Sequence, residues 1–331
     1  MNEIDKLFIS QLKNKIPRNI SATEEIASIL DVSYDAAYRR MSGKVSFNLK
    51  ETVQLSKKFD ISLNELFEVG EQNTYLVQDG DSVRTLIGFN KYLKKLNKDL
   101  SFFSNCKDCS ILLSAQELPM IYYFNNKLLM RFKVFIWSTI LGVSSDNKRI
   151  KFSDFSISND LYETAKKLRK TYDYTNATEM WSFGAINIIL QQLLYLYKMR
   201  QISSEDALDI CSALVEEMRI IEMGTTNGGK SNERKFTLYS NDMVMMSNSV
   251  ILKYKNKLTL SYPYALFKFF KIDNQKICKE HEVYILDQLL HASCITSAST
   301  QEHASFFNLK YDKINQVMDV IKNEESKPVF L

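Results

Sequence analysis

Three groups of residues have the types and spacing to do chemistry. The stretch Gly224-Thr-Thr-Asn-Gly-Gly229-Lys230-Ser231 matches the phosphate-binding loop pattern letter for letter, and Val283–Asp287 could supply a partner aspartate. That chemistry needs a strand before the loop and a helix after it, so that backbone amides and the helix N-terminus cradle phosphates. Here Leu208 to Met223 has a helical period, Asn232 to Tyr239 turns polar and then strand-like, and Asp287 sits in a helical pattern with Leu286, Leu289 and Leu290. The context fails on both sides, so residues 224–231 read as a polar loop and an NTP-binding enzyme is the least favoured reading. Cys106-Lys-Asp-Cys109 has zinc or redox spacing, but structural zinc takes four ligands and no second pair is spaced for it. His291-x-x-Cys294, placed on a helix, is at most half a composite site. The expectation is free thiols, no metal and no cofactor. Three histidines and no nucleophile elbow leave no catalytic residue, so the chain is not expected to be an enzyme.

The third group lies in residues 24–67, whose spacing is that of a helix-turn-helix, the unit that puts one short helix into the major groove of DNA. If the helix over Tyr34–Met41 enters the groove, it presents Tyr34, Asp35, Tyr38 and Arg39. Arg39 can contact guanine through two hydrogen bonds, and Tyr34 or Tyr38 can meet thymine methyls or phosphates. Asp35 either accepts from a cytosine amino group or orients an arginine. Ser33, Lys44 and Ser46 lie where phosphates would pass. Arg40 is either a phosphate contact or a partly buried packing residue.

Five helices must position that face. The first runs over Glu3–Lys15 with Ile4, Leu7, Phe8 and Leu12 inward, and Pro17 ends it. Ser21-Ala-Thr-Glu24 opens the second, which turns Ile26, Ala27 and Leu30 inward. Asp31-Val32-Ser33 is the turn, Ser33 caps the third helix, and Gly43 terminates it. Asn48-Leu-Lys-Glu51 and Ser62-Leu-Asn-Glu65 cap the fourth and fifth. Ala27 is small enough to let the two helices of the motif cross closely.

On these residues the stretch resembles the Cro and phage-repressor family of helix-turn-helix domains. The resemblance rests on Ala27, the Asp31-Val32-Ser33 turn, Ala37, Gly43 and Ile61-Ser62-Leu63-Asn64-Glu65-Leu66, and it covers residues 3–68. It implies a DNA-reading domain. The sequence departs from the family at Met41-Ser42, where glutamate-x is commoner, and in the bulky Tyr38-Arg39-Arg40. Both departures bear on which DNA is read.

The 331 residues allow two domains, and 45% hydrophobic with 12% aromatic residues allow a sizeable core. The net charge of +4 does not by itself indicate nucleic acid. Five scattered cysteines fit a reducing compartment, and the N-terminus lacks an apolar signal region, so a cytoplasmic protein is expected. Met180 to Tyr197 carries no charge, but Ile186, Ile189, Leu190, Leu193, Leu194 and Tyr197 form one stripe opposite Asn187, Gln191 and Gln192. That is a core helix rather than a membrane span.

The chain divides into a DNA-binding domain over 1–69, a linker and possible dimerisation helix over 70–104, and a dimerisation or sensor domain over 105–331. Leu86, Phe89, Leu93, Leu96, Leu100 and Phe103 form a seam of about two and a half heptads, either a dimer helix or a helix lying on the second domain. Beyond it, a strand over 110–115, helices over 128–141 and 159–172, and a helix pair opened by Asn176-x-x-Glu179 and Ser203-x-x-Asp206 are expected. Strands follow at FTLYS, MVMMS, VILKYK and KLTLSY, with Lys255-Asn256-Lys257 as a hairpin turn. Helices then come at 282–294 and 311–323. The fold class expected is mainly α: a five-helix bundle plus a larger, mostly helical domain with a small antiparallel sheet. The function expected is a transcriptional regulator bound to double-stranded DNA as a homodimer, with a possible small-molecule or peptide effector and no membrane association. The alternative is a sensor that binds a protein or peptide.

Overall fold

Short polar side chains set the helix starts of the N-terminal part. Ser21 accepts from Glu24 N, Ser33 from Ala36 N at 3.2 Å, and Asn48 with Glu51 completes a capping box. Each bond satisfies an amide that a helix start would otherwise leave open. The computed structural model describes residues 3–17, 19–67, 78–79, 83–142, 150–229, 234–241, 248–296 and 299–325. The chain divides into two compact units, Met1–Leu76 and Val77–Leu331. No helix among the described residues is long and apolar enough to cross a membrane.

The first unit is a bundle of α1 (Glu3–Lys15), α2 (Ala22–Leu30), α3 (Tyr34–Met41), α4 (Leu49–Phe59) and α5 (Leu63–Phe67). Its core holds Phe8, Ile9, Leu12, Ile16, Ile26, Ala37, Met41 and Leu55. The inward face of α1 differs from the expected one. Ile4 and Leu7 are exposed, whereas Ile9 and Ile16 join Phe8 and Leu12 inside. Both stripes have helical spacing, and the packed one is set by where α1 meets the bundle. Two helices of the bundle end on aspartates in the left-handed region, Asp31 at φ 53° and Asp60 at φ 51°.

The second unit overturns the expectation of a mainly α protein with a small antiparallel sheet. Among its described residues is an eight-stranded sheet in the order β1-β7-β6-β5-β2-β3-β4-β8, and the fold is mixed α+β. The strands are β1 (Gln78–Asp79), β2 (Cys109–Ala115), β3 (Ala177–Trp181), β4 (Phe236–Ser240), β5 (Ser249–Tyr254), β6 (Lys257–Ala265), β7 (Lys268–Ile272) and β8 (Ser293–Cys294). β2, β3 and β4 run parallel and the other pairs antiparallel. The expected Lys255 hairpin forms, with Tyr254 opposite Lys257 and Lys255 at φ 50°. The expected MVMMS strand, residues 243–247, lies wholly outside the described residues.

β3 is the element that changes the class. Asn176-x-x-Glu179 reads as a helix cap, yet residues 177–181 are a central strand and the helix α9 (Asn187–Lys198) starts later. The reason lies in a buried polar centre. Glu179 is fully buried and accepts from Tyr122 Oη at 2.6 Å, Tyr172 Oη at 2.7 Å and Trp181 Nε1 at 2.8 Å. A carboxylate so satisfied can occupy a core strand. Beside it Arg169 pairs with Glu217 at 2.9 Å and with Asp173 at 3.0 Å, and Asn125 donates to Glu217 at 3.0 Å.

The helices of this unit are α6 (Leu86–Ser104), α7 (Lys127–Ile140), α8 (Asn159–Asp173), α9, α10 (Ser204–Thr226), α11 (Gln275–Leu289) and α12 (Thr300–Glu325). The heptad seam of α6 is covered within the chain. Phe89 and Leu93 are buried in the unit's core, Leu86, Leu96 and Leu100 pack against it, and α6 lies along α8. Asp160 of α8 ties to Lys94 at 3.1 Å and Asn90 at 2.5 Å, and Thr171 donates to Asn97 at 2.7 Å. α10 is capped by Ser203 as expected, but packs mainly on α12 rather than on α9.

Candidate nucleic-acid interface

The geometry of the α2–turn–α3 unit follows from a few local bonds. The amides of Asp31 and Val32 both return to Ala27 O, which reverses the chain at the end of α2. Ser33 then caps α3, whose eight residues span about 12 Å, close to the width of the major groove. Ala37 is fully buried, and Ala27, Leu30 and Val32 pack around the same core. Met41, where the family resemblance would place a glutamate, is a core residue at 7% exposure. Past α3, Gly43 takes φ 73°, which a side chain would strain, and the amides of Lys44 and Val45 both donate to Arg39 O.

This frame leaves Ser33, Tyr34, Asp35, Tyr38 and Arg39 exposed together, with Lys44 on the loop that follows. Arg39 pairs with Asp35 at 3.0 Å, both side chains more than half exposed. An ion pair so wet is worth about 0–1 kcal/mol, so Asp35 orients the arginine without holding it from another partner.

Two of the expected contact residues are engaged elsewhere. Arg40 forms a fork to Glu51, Nε at 2.9 Å and Nη2 at 2.8 Å, and donates to Ala36 O at 3.0 Å. Its side chain is 19% exposed and that of Glu51 13%. The hydrogen bonds to Glu51 raise the arginine's affinity for its proton, and the same bonds hold the Glu51 carboxyl below its ordinary range. The fork joins α3 to the start of α4. Ser46 Oγ donates to Asp5 Oδ2 at 2.7 Å, and Phe47 packs edge-on against Phe8, so this part of the loop is bound to α1.

One cation was not anticipated. Lys50 is exposed in the first turn of α4, one residue before the Glu51 that grips Arg40. A signal was present in the sequence, since a lysine in a helix's first turn opposes the helix dipole and asks for a reason.

Gly224 and Thr225 lie buried in the last turn of α10, with no strand before them, and Lys230 and Ser231 fall outside the described residues. His291 and Cys294 do not share a helix: α11 ends at Leu289 and Cys294 belongs to β8. Among the described residues no group of three or more His, Cys, Asp or Glu side chains could hold a metal ion. An open cleft of about 250 Å³, lined by Gln116, Glu117, Ile188, Asn248, Pro263, Tyr264 and Ala265, is below the ~300–1,000 Å³ usual for small-molecule sites.

The comparison with curated proteins and the comparison with solved structures each give no match. The family model described as the BetR domain matches residues 7–80, which brings the first unit into likeness with a family of helix-turn-helix-containing DNA-binding domains and points to a DNA-binding regulatory role for the N-terminal part of the chain.

Proposed function

We propose that the chain is a sequence-specific transcriptional regulator of the Cro and phage-repressor type. It acts in the cytoplasm as a homodimer on a palindromic operator, and it has no enzymatic activity. The observation that carries this reading is the exposed face of α3, Tyr34, Asp35, Tyr38 and Arg39, held rigid by the Ser33 cap and the Arg40–Glu51 fork. The BetR match over the same residues supports it.

Charge supports the dimer. Residues 1–70 contain ten Lys plus Arg and ten Asp plus Glu, so one unit has little general attraction for phosphate. Two units on half-sites about 34 Å apart would double the contacts. Since the α6 seam is covered by α8, the dimer contact lies on another surface of the chain.

In this proposal Arg39 reads a guanine, Tyr34 and Tyr38 meet thymine methyls or phosphates, and Ser33, Lys44 and Lys50 lie along the backbone. Arg40 and Ser46 hold the frame. The test is fluorescence anisotropy of the full chain on duplex DNA across a salt series. With Lys44 and Lys50 on each protomer, a dimer neutralises about four phosphates, and log K should fall against log salt with a slope near −4. A slope near zero would sink the proposal.

A further inference from the structure

Cys106 and Cys109 sit at the two ends of the turn that carries the chain from α6 into β2, with Lys107 and Asp108 between them. The ends of such a four-residue turn lie within about 7 Å, and a disulfide spans about 4.4–6.8 Å between Cα atoms. Both cysteines are free thiols, and each is within hydrogen-bonding reach of the other. Cys109 is buried at 1% exposure and Cys106 is half-buried.

The backbone of this turn is held from outside by two side chains. Arg234 donates through Nη1 to Cys106 O at 3.3 Å and through Nη2 to Ser104 O. Asn176 donates to Lys107 O at 3.2 Å and to Cys109 O at 3.1 Å. These bonds hold the turn's carbonyls and leave the two sulfurs facing each other within hydrogen-bonding reach.

We propose that Cys106 and Cys109 are a redox-active dithiol that a hydroperoxide converts to an intrachain disulfide. The Cys106 thiolate, the more accessible of the two, attacks one peroxide oxygen. The O–O bond breaks, Cys106 becomes a sulfenic acid, and the departing hydroxide takes a proton to form water. The Cys109 sulfur then attacks the Cys106 sulfur. The S–O bond breaks, and the hydroxide leaves with the Cys109 proton as a second water. The two sulfurs lose two electrons and the peroxide gains two.

The division of roles follows from environment. Burial, and after it the neighbouring Cys106, push the Cys109 thiol up to about 12, so it keeps its proton until the second step. Arg234 acts the other way and favours the Cys109 thiolate. The remaining cysteines lack such a pairing. Cys211 and Cys278 are buried, and Cys294 lies against the Tyr239 hydroxyl.

Trypsin tests this directly, because Lys107 lies between the two sulfurs. The full chain is treated with hydrogen peroxide, its remaining thiols are alkylated, and it is digested without reductant. Peptides Asp99–Lys107 and Asp108–Lys127 should appear joined, at peroxide doses that leave Cys294 open to alkylation, and should separate on reduction. Peptides that stay separate while Cys106 proceeds to sulfinic acid would overturn the proposal, as would equal oxidation of Cys106 and Cys294. In Cys109→Ala the sulfenic acid has no partner, and its capture by a dicarbonyl reagent should rise at least about tenfold over the unsubstituted chain. No rise would equally overturn it.

Discussion

Arg40 and Glu51 make the sharpest case for separating a framework residue from a contact residue, since Arg39 next door faces outward. The fork consists of two charge-assisted bonds at 2.9 and 2.8 Å. Side-chain exposures of 19% and 13% place it between two known limits. A fully exposed pair contributes about 0–1 kcal/mol, and breaking a buried one costs about 3–5 kcal/mol. A coupling near 2 kcal/mol is therefore expected. Glu51→Ala also removes the capping-box bond to Asn48 N, worth about 1 kcal/mol more. Hydrogen exchange of the full chain, read on the amides of α3 and α4, measures this locally. Arg40→Ala, Glu51→Ala and the double variant form a cycle. Two kcal/mol of coupling corresponds to about a 30-fold difference in the opening constant. A coupling below about 0.5 kcal/mol would show the fork to be an ordinary surface pair and would refute the framework role.

Four further outcomes follow from the same geometry. Because Arg40 holds the Glu51 carboxyl down, its stabilising effect is complete above pH of about 4.5 and is lost as pH falls through the lower folded value. Acid unfolding of the first unit should thus come at higher pH in Glu51→Gln. Ser33→Ala removes the bond to Ala36 N and should cost about 1 kcal/mol in α3, seen as faster exchange in that helix with α1 unchanged. Glu179→Ala strands the buried donors of Tyr122, Tyr172 and Trp181, at about 1–3 kcal/mol for each unmade bond. Tryptophan fluorescence, reporting Trp137 and Trp181 of the second unit, should show a large drop in its unfolding midpoint. Lys50→Ala should weaken binding to all duplexes alike and flatten the salt slope by about one per protomer, whereas a change in sequence preference would place Lys50 at a base.

What the sequence discloses here depends on how far apart the interacting residues lie. The caps Ser33, Asn48 and Ser203 act across three residues and could be read directly. The same is true of the α3 face, since exposure of Tyr34, Tyr38 and Arg39 follows from helical period once Ala37 is placed inside. The role of Arg40 depends on Glu51, eleven residues away on another helix, and periodicity left it open. The α6 seam was visible, but its partner α8 begins more than fifty residues later, so one stripe suited a second chain or the same one. β3 is the element least legible in the sequence. Its Glu179 looks like a cap residue, and the charge-free run from Met180 hides the change from strand to helix near Ile186. Only the distant donors Tyr122 and Tyr172 explain a carboxylate in the sheet. With β3 misassigned, the parallel arrangement of β2, β3 and β4 could not be foreseen.

The central claim is that α3 reads base sequence. Selection of bound duplexes from a randomised pool, with the full chain and with Arg39→Ala, tests it most directly. The account predicts that the full chain enriches a two-fold symmetric site containing a fixed guanine, and that Arg39→Ala loses preference at that guanine, at a cost of about 1–3 kcal/mol, while other positions persist. Absence of any enriched sequence, or the same guanine enriched with and without Arg39, would contradict it.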